Sequence, residues 1–219
     1  PQEALDEGLD PQIKTLFLQK LDQLRALGHT VEIKSLPMLK SSLAIYYTLM
    51  PSEVSTNLSR FDGIRFWHQG NTHDYPSLDQ YYSAMRAKGF GEEAKRRILL
   101  GTYILSSANY ESYYLKALQA QKQLKSDFED LFNNYDAVLT PTSPEVARKI
   151  WEKSDNPLKA YLADLYTVPA NLAGLPAISV PMWTISHQEE ELPTGLQIMW
   201  PMRSDQTVLN IAQLIEKLS

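Results

Sequence analysis

Apolar residues recur at helical spacing between Pro11 and Gly28, in the first part of the chain. Asp10 is a residue type that caps helices, Pro11 suits the first helical position, and Gly28 is typical of a helix end. The alternation of apolar and polar residues over 31–35 then predicts a short strand. A helix, a glycine turn and a strand together indicate one unit of an α/β layer.

Further helical patterns extend along the chain. They predict a mostly buried helix over 39–59, two helices at about 77–87 and 91–104, a long helix at about 107–133 and a final helix at about 205–218. One stripe of the long helix is predicted to pack against the rest of the protein, and it consists of Tyr110, Tyr113, Tyr114, Ala117, Leu124, Phe128 and Phe132. The glycine, asparagine and proline content of 61–76 predicts a loop.

Short apolar runs in the last part of the chain predict strands at about 136–140, 177–181 and 194–200. The first of these ends at Pro141, because proline cannot donate a hydrogen bond to a ladder. The acidic segment 188–191 is predicted to lie in a solvated loop between the last two strands. Helices outnumber strands and separate them, so the fold class is α/β, with much of the sheet supplied from outside this segment.

The composition of the chain excludes several classes of function. A length of 219 residues allows one domain or one large half-domain, and 43% hydrophobic with 21% charged residues is ordinary for a globular protein. The formal charge of -5 argues against a general nucleic-acid binder. The sequence has no cysteine, which excludes disulfides, thiolate catalysis and cysteine-based zinc sites. It has no apolar run long enough to span a membrane, so we expect a cytoplasmic location and no membrane contact.

Sequence motifs for metal or phosphate binding are absent. The histidines do not show the helical spacing of metal ligands, although two of them are five residues apart in a polar loop, namely His68 and His73. No glycine-rich phosphate loop occurs, and no G-x-S-x-G segment presents a serine. The expectation from the residues is therefore that this chain holds no metal and no phosphate cofactor.

Five blocks of the sequence resemble consecutive segments of the A subunits of glutamyl-tRNA(Gln)/aspartyl-tRNA(Asn) amidotransferases, a family of amidase-signature hydrolases. The blocks are 57–65, 89–102, 135–142, 164–181 and 192–198, and they occur in the family's order. The resemblance covers nearly the whole chain. It implies that residues 1–219 are the C-terminal half of an amidase-signature domain, an α/β/α sandwich with a mixed central sheet.

Two segments depart from the family pattern. Residues 183–191 make the connection between the last two strands longer and more acidic. Residues 200–203, Trp-Pro-Met-Arg, replace the usual glycine-containing exit from the final strand.

The resemblance also implies where the catalytic chemistry lies. Members of this family use a Ser–cis-Ser–Lys triad to form an acyl-enzyme with glutamine, and the serine reacts because a neighbouring base takes its proton. The triad lies in a Gly/Ser-rich stretch of the N-terminal half, and no comparable stretch occurs here. The serine pairs Ser41–Ser42 and Ser106–Ser107 lack flanking glycines and are predicted to be helix-start residues. No catalytic residue is therefore assigned, and the segment alone is predicted to be inactive.

By the same resemblance, this part of the chain binds glutamine, whose ammonium and carboxylate both need partners once they are desolvated. Arg97 is assigned to the carboxylate, Asp164 to the ammonium, and Tyr47 to the same pocket, with the adjacent Tyr46 as a second candidate. The structural alternatives are an ion pair of Arg97 with Glu93, a turn or cap role for Asp164, and simple core packing for Tyr47.

The family resemblance implies a complete subunit that releases ammonia from glutamine within a heterotrimer. A partner subunit then uses this ammonia and ATP to amidate Glu-tRNA(Gln) or Asp-tRNA(Asn). We expect ATP and Mg²⁺ on the partner, tRNA contact mainly through the partner, and no cofactor in this chain.

Two alternatives stay open: a stand-alone amidase-signature hydrolase of another carboxamide, and a non-catalytic structural or partner-binding fragment. The pair Arg97 and Asp164 favours glutamine over a neutral amide, because a neutral amide would leave both charges unpaired.

Overall fold

The computed structural model describes residues 1–5, 8–67, 70–150, 163–187 and 190–217. The chain divides into two compact units. Residues 1–43 and 120–219 form the first, which we call the sheet unit, and residues 44–119 form the second, which we call the helical unit.

The described residues contain α-helices, strands and shorter helical turns. The helices are α1 Pro11–Ala26, α2 Ser42–Asn57, α3 Leu78–Gly89, α4 Glu92–Ile104, α5 Lys116–Phe132, α6 Val168–Ala173 and α7 Asp205–Glu216. The strands are β1 Val138–Pro141, β2 Ala177–His187 and β3 Glu190–Met199. Short 3-10 turns lie at Gln2–Leu5, Pro37–Ser41, Leu58–Arg60 and Thr72–Asp74, and a π-helical segment at Tyr110–Leu115 precedes α5.

Most of the helix predictions are confirmed. Asp10 caps α1, and its Oδ1 accepts hydrogen bonds from the N–H groups of Gln12 at 2.7 Å and Ile13 at 3.3 Å. The predicted helices at 77–87, 91–104 and 205–218 correspond to α3, α4 and α7. None of the described helices is both long and apolar enough to cross a membrane.

The three strands form an antiparallel sheet in the order β1-β3-β2, with β3 in the centre. One face is apolar, because Ile198 of β3 lies between Leu139 of β1 and Ile178 of β2. This face packs against α1 and α7, and the buried core contains Ile13, Phe17, Leu21, Leu24, Val180, Met182, Ile185, Leu196, Ile198, Val208, Ala212 and Ile215. The α/β class is confirmed, and the mixed sheet remains an expectation for the complete domain.

The other face of the sheet presents a polar row. Gln197 of β3 lies directly between Thr140 of β1 and Ser179 of β2. Because successive residues of a strand point to opposite faces, this row alternates with the apolar row at Ile198.

The predicted strand at 31–35 is wrong. These residues belong to no strand of the described chain, and other groups bond to their backbone. The N–H of Gln2 donates to the carbonyl oxygen of Lys34 at 2.8 Å, and Arg25 donates to the carbonyl oxygen of Val31 through Nε and Nη2. The apolar Ile33 is 49% exposed, and a strand needs a neighbouring strand for its hydrogen bonds as well as an alternating pattern.

The predicted loop at 183–191 is also wrong for most of its length. The ladder between β2 and β3 continues from Thr184 opposite Pro193 to His187 opposite Glu190. Glutamates fit such a ladder because their side chains point to solvent while the backbone pairs, and both Glu190 and Glu191 are exposed. Residues 188–189 lie outside the described residues. After β3, Arg203 takes a left-handed φ of 66°, in the exit segment that lacks a glycine.

The predicted long helix is divided. Its first part is the π-helical segment, in which hydrogen bonds reach one residue further than in an α-helix and shift the side-chain stripe. Tyr110 and Tyr113 are 39% and 49% exposed, so the packing prediction is wrong for them. It is confirmed for Leu124 and Phe128 of α5, which are fully buried.

Helices α2 and α4 of the helical unit approach each other closely at Gly101. A Cβ atom built at this position would lie 1.9 Å from the carbonyl oxygen of Pro51 in α2. Glycine inside a helix costs about 0.5–1 kcal/mol relative to alanine. The close contact is the physical reason for glycine at this position.

The carboxylate of Glu3 connects the first turn of the chain to residues 35–36. It accepts hydrogen bonds from the Ser35 hydroxyl at 2.6 Å and from the N–H of Leu36 at 2.7 Å. Burial alone would raise the pKa of Glu3, but these hydrogen bonds outweigh it and hold the pKa below its ordinary value. The carboxylate therefore stabilises the fold above its unfolded pKa, and this stabilisation disappears as the pH falls through the lower folded pKa.

We expect Glu3→Gln to lower the free energy of unfolding at pH 7 by about 1–2 kcal/mol, because it weakens hydrogen bonds to a charged group. The difference from the parent protein should shrink as the pH falls below about 4. Urea unfolding of both proteins between pH 3 and pH 7 measures it. The control is Glu129→Gln at an exposed position of α5. A difference for Glu3→Gln that does not change with pH would contradict the prediction.

We expect Gly101→Ala to destabilise the protein by about 1–3 kcal/mol, although alanine is the better helix former, because the new methyl group overlaps the backbone of α2. Gly91→Ala is the matched control, since a Cβ there meets nothing within 4 Å. Its effect should stay below about 1 kcal/mol, because Gly91 is the N-cap of α4 and alanine caps a helix less well than glycine, without any steric overlap. Urea unfolding measures both variants, and a more stable Gly101→Ala protein would refute the proposed close contact.

Candidate functional site

Arg97 lies on α4 and reaches toward α2 within the helical unit. Its Nε donates a hydrogen bond to Oε1 of Glu93 at 2.8 Å, and its Nη1 lies 3.5 Å from the sulfur of Met50. The hydrogen bond to Glu93 raises the pKa of Arg97 above its ordinary value, and the charges of Glu93, Tyr46 and Tyr47 act in the same direction. The guanidinium, which is charged at any physiological pH, belongs to a side chain that is 34% exposed.

Tyr46 and Tyr47 stand side by side on α2. Their ring centroids are 5.1 Å apart and their planes meet at 79°, which is an edge-to-face contact. Both residues are half-buried. Tyr46 and Tyr47 lie on α2, the helix whose Met50 contacts Arg97, so both remain candidates beside it. Their role in binding stays a prediction.

The structural alternative for Arg97, an ion pair with Glu93, is present as well. It occupies Nε of Arg97, while the other oxygen of Glu93 accepts a hydrogen bond from Arg96. Among the described residues, Nη1 contacts the thioether of Met50, which is a weak acceptor compared with a carboxylate. A carboxylate ligand that replaced this sulfur contact would gain a charge-assisted hydrogen bond from an arginine that is already oriented.

The crossing of α2 and α4 accounts for this arrangement. Gly101 follows Arg97 by about one helical turn, and it contacts Pro51, the residue after Met50. The close approach of the two helices at Gly101 therefore lies one turn along α4 from Arg97. Gly101 was not recognised in the sequence as part of the site, and its only signal was a glycine inside a helical pattern.

Asp164 lies in the sheet unit, in the turn that precedes α6. Its carbonyl oxygen accepts hydrogen bonds from the N–H groups of Thr167 at 3.2 Å and Val168 at 3.1 Å. The cap position of α6 is Thr167, so Asp164 precedes the cap by three residues. Its backbone thus has the turn role considered as the alternative, and its half-buried side chain remains the candidate for an ammonium.

Tyr166 attaches this turn to the rest of the sheet unit through its carbonyl oxygen and its hydroxyl. Its carbonyl oxygen accepts a hydrogen bond from Nε2 of Gln197 at 2.7 Å, and its hydroxyl donates to the carbonyl oxygen of Ala4 at 3.1 Å. Nε2 of Gln197 also donates to the hydroxyl of Thr140 at 2.9 Å. No role was predicted for Gln197 from the sequence, although a glutamine within an otherwise apolar strand was a usable signal.

The serine pairs take part in local turns. Ser42 begins α2 as predicted, and its hydroxyl donates to the carbonyl oxygen of Leu39 at 2.7 Å. Ser106 and Ser107 do not start a helix as predicted. They follow α4, and the hydroxyl of Ser106 donates to the carbonyl oxygen of Tyr103 at 2.7 Å. The hydroxyls of Ser42 and Ser106 therefore each hydrogen-bond to a carbonyl oxygen of a neighbouring turn.

The described residues contain no group of three or more histidine, aspartate or glutamate side chains that could hold a metal ion. His68 lies outside the described residues, so the weak candidate pair with His73 stays untested. The N–H of His73 donates to the Asn71 side chain at 3.1 Å.

Described residues of the sheet unit line two cavities that could hold a small ligand. The larger, of about 1010 Å³, is lined by α1, residues 28–34, residues 134–139 and α7. The smaller, of about 540 Å³, is lined by Leu165 and Tyr166, which directly follow Asp164, together with Thr140 and Lys40. The turn that bears Asp164 therefore adjoins a cavity of small-ligand size.

Comparison with known proteins adds the family context. The Amidase family model matches residues 1–209. A protein of Clostridium acetobutylicum, named as the second A subunit of glutamyl-tRNA(Gln) amidotransferase, is 43% identical over 99% of this chain and 44% of its own length. The A subunit of the same enzyme from Sulfurihydrogenibium sp. is 42% identical over 100% of this chain and 44% of its own length. The chain thus spans less than half the length of these curated relatives.

Solved structures agree with this comparison. The crystal structure of the glutamyl-tRNA(Gln) amidotransferase A subunit from Thermotoga maritima matches with a TM-score of 0.72 and 38% identity, over 100% of this chain and 41% of that protein. A structure described as an amidase matches with a TM-score of 0.72 at 20% identity, over 100% of this chain and 44% of that protein, which shows a shared fold alone. On the family match over nearly its whole length, this chain belongs to the amidase family.

Proposed function

We propose that this chain is the glutamine-binding part, and about the C-terminal half, of the glutaminase subunit of a tRNA-dependent amidotransferase. The supporting observation is the Arg97 site, where Glu93 orients a guanidinium that contacts Met50 on α2, the helix that also carries Tyr46 and Tyr47. The similarity to proteins named as A subunits of glutamyl-tRNA(Gln) amidotransferase, over nearly the full length of this chain, supports the same assignment.

Arg97 would bind the α-carboxylate of glutamine. A guanidinium presents N–H groups in a planar fork that matches a carboxylate, and its preorganisation by Glu93 reduces the entropy lost on binding. The hydroxyl of Tyr47, or of the adjacent Tyr46, would add a hydrogen bond to the same ligand. Displacing Arg97 from the Met50 sulfur costs little, because a thioether is a weak acceptor.

Asp164 would bind the α-ammonium of glutamine. An ion pair between an ammonium and a carboxylate gains strength when water is excluded, and a neutral amide substrate could not form it. Charged residues for both ends of an amino acid therefore select glutamine over simple carboxamides. A stand-alone amidase acting on a neutral amide is the less favoured function for this reason.

The whole subunit would release ammonia from glutamine through a serine nucleophile supplied by another part of the protein. Other amidotransferase subunits would consume the ammonia with ATP and Mg²⁺ to amidate Glu-tRNA(Gln) or Asp-tRNA(Asn) in the cytoplasm. Contact with tRNA would fall mainly to a partner, which suits the charge of -5 on this chain.

In a full-length subunit that includes this sequence, we expect Arg97→Ala and Asp164→Ala each to lower kcat/KM for glutamine at least about tenfold, since each removes one partner of a desolvated charge pair. Steady-state release of ammonia measures this. Arg96→Ala is the matched control, because Arg96 also pairs with Glu93 but is 65% exposed. Unchanged glutamine kinetics in either test variant would refute the residue's role.

The purified 219-residue chain is expected to release no ammonia from glutamine, because the sequence contains no Gly/Ser-rich segment that could present an activated serine. An ammonia assay at high protein concentration tests this, with a full-length glutaminase subunit of an amidotransferase as the positive control. Turnover by the chain alone would show that it holds a nucleophile of its own.

A further inference from the structure

We infer that Gln197 is a positioning residue for Asp164, acting through the backbone of Tyr166. This inference rests on the proposed function, in which Asp164 binds the ammonium of glutamine. It adds a specificity-determining role for a residue on the central strand that touches no substrate.

Gln197 is a polar residue in an apolar setting. It is 4% exposed, and its neighbours Leu196, Ile198 and Met199 are fully buried. A buried amide destabilises a fold unless its hydrogen bonds are satisfied, so an apolar side chain would be the simpler choice for packing alone. The contacts of the amide are therefore the physical reason for glutamine at this position.

Nε2 of Gln197 donates two hydrogen bonds, one to β1 and one to the turn that bears Asp164. The first goes to the hydroxyl of Thr140, at 2.9 Å, which lies directly opposite Gln197 in the ladder and is itself buried. This contact fixes the orientation of the amide. The second, at 2.7 Å, goes to the carbonyl oxygen of Tyr166. Since one NH₂ group donates both hydrogen bonds, the position of the Tyr166 carbonyl is set relative to β1 and β3.

The position of Tyr166 then constrains Asp164. The two residues are two positions apart in one turn, and the carbonyl oxygen of Asp164 accepts hydrogen bonds from Thr167 and Val168 on the far side of Tyr166. The Tyr166 hydroxyl adds a second attachment, to Ala4. A turn closed by its own hydrogen bonds and attached at Tyr166 moves as one piece, so a shift of Tyr166 shifts the carboxylate of Asp164 as well.

Loss of the Gln197 contact should therefore reduce the preference for substrates that bear an ammonium. Displacement of a binding group by about 1 Å can cost up to about 10²-fold in rate. A purely structural role for Gln197 would instead lower activity toward all substrates by the same factor. These two consequences can be measured separately.

The test compares two substrates in a full-length subunit that includes this sequence: glutamine, and 4-carbamoylbutanoate, which is glutamine without its ammonium. The parent protein should prefer glutamine, and Asp164→Ala should reduce this preference at least about tenfold. Gln197→Met, which keeps the volume and removes the donors, should reduce it by about threefold to tenfold. The reduction should appear as a higher KM for glutamine, with kcat for 4-carbamoylbutanoate unchanged.

Ser179→Ala is the matched control. Ser179 lies opposite Gln197 on the other side of β3, but its hydroxyl bonds to Thr142 at 2.7 Å instead of to the turn. This variant should keep the parent's preference. If Gln197→Met does not fold, Thr140→Val provides the second measurement, because it removes the contact that orients the amide and should also reduce the preference.

The outcomes separate the two proposals. If Asp164→Ala keeps the parent's preference for glutamine, the proposed binding of the ammonium is wrong. If Asp164→Ala loses the preference while Gln197→Met, or Thr140→Val in its place, retains it, the positioning role of Gln197 is wrong. An equal loss of activity on both substrates in the Gln197 variant would also overturn that role.

Discussion

Burial of the central strand holds the sheet unit together. Strand β3 pairs with both other strands, and its residues Leu196 and Ile198 are fully buried against the core that α1 and α7 complete. Each such side chain contributes about 1.5–3 kcal/mol when it leaves water completely. Because strand side chains alternate between faces, fixing the apolar face of β3 also fixes the position of Gln197 on the opposite face. The turn that bears Asp164 depends on that second face.

In the helical unit, a close approach of two helices positions the candidate binding residue. Arg97 is placed by the close crossing of α2 and α4 at Gly101 and by its hydrogen bond to Glu93. In both units, a residue proposed to meet substrate is thus oriented by residues that have no proposed substrate contact. This separation is common in binding sites, where precise geometry depends on the packing and hydrogen bonds behind the contacting groups.

Sequence patterns predicted the helices well, because helix caps and apolar spacing depend on residues that are close together in the sequence. They failed where the outcome depends on distant residues. The alternation at 31–35 gave no information about whether another strand would pair with it. The polar glutamates at 190–191 indicated a loop, although their backbone groups continue the ladder between β2 and β3. The exposed Tyr110 could not be anticipated, since a π-helical turn shifts the stripe without a clear sequence signal.

The sequence patterns also predicted only part of the candidate site. The residues alone favoured an ion pair for Arg97, and the family resemblance supplied its role in substrate binding. These two interpretations are compatible in physical terms. The Glu93 side chain is 52% exposed, so its ion pair with Arg97 adds little stability and leaves most of the guanidinium charge available to a ligand. Its main effect is orientation, because it occupies Nε while Nη1 lies beside the sulfur of Met50. An arginine held in this way is better suited to bind a carboxylate than a free one, since less rotational freedom is lost on binding.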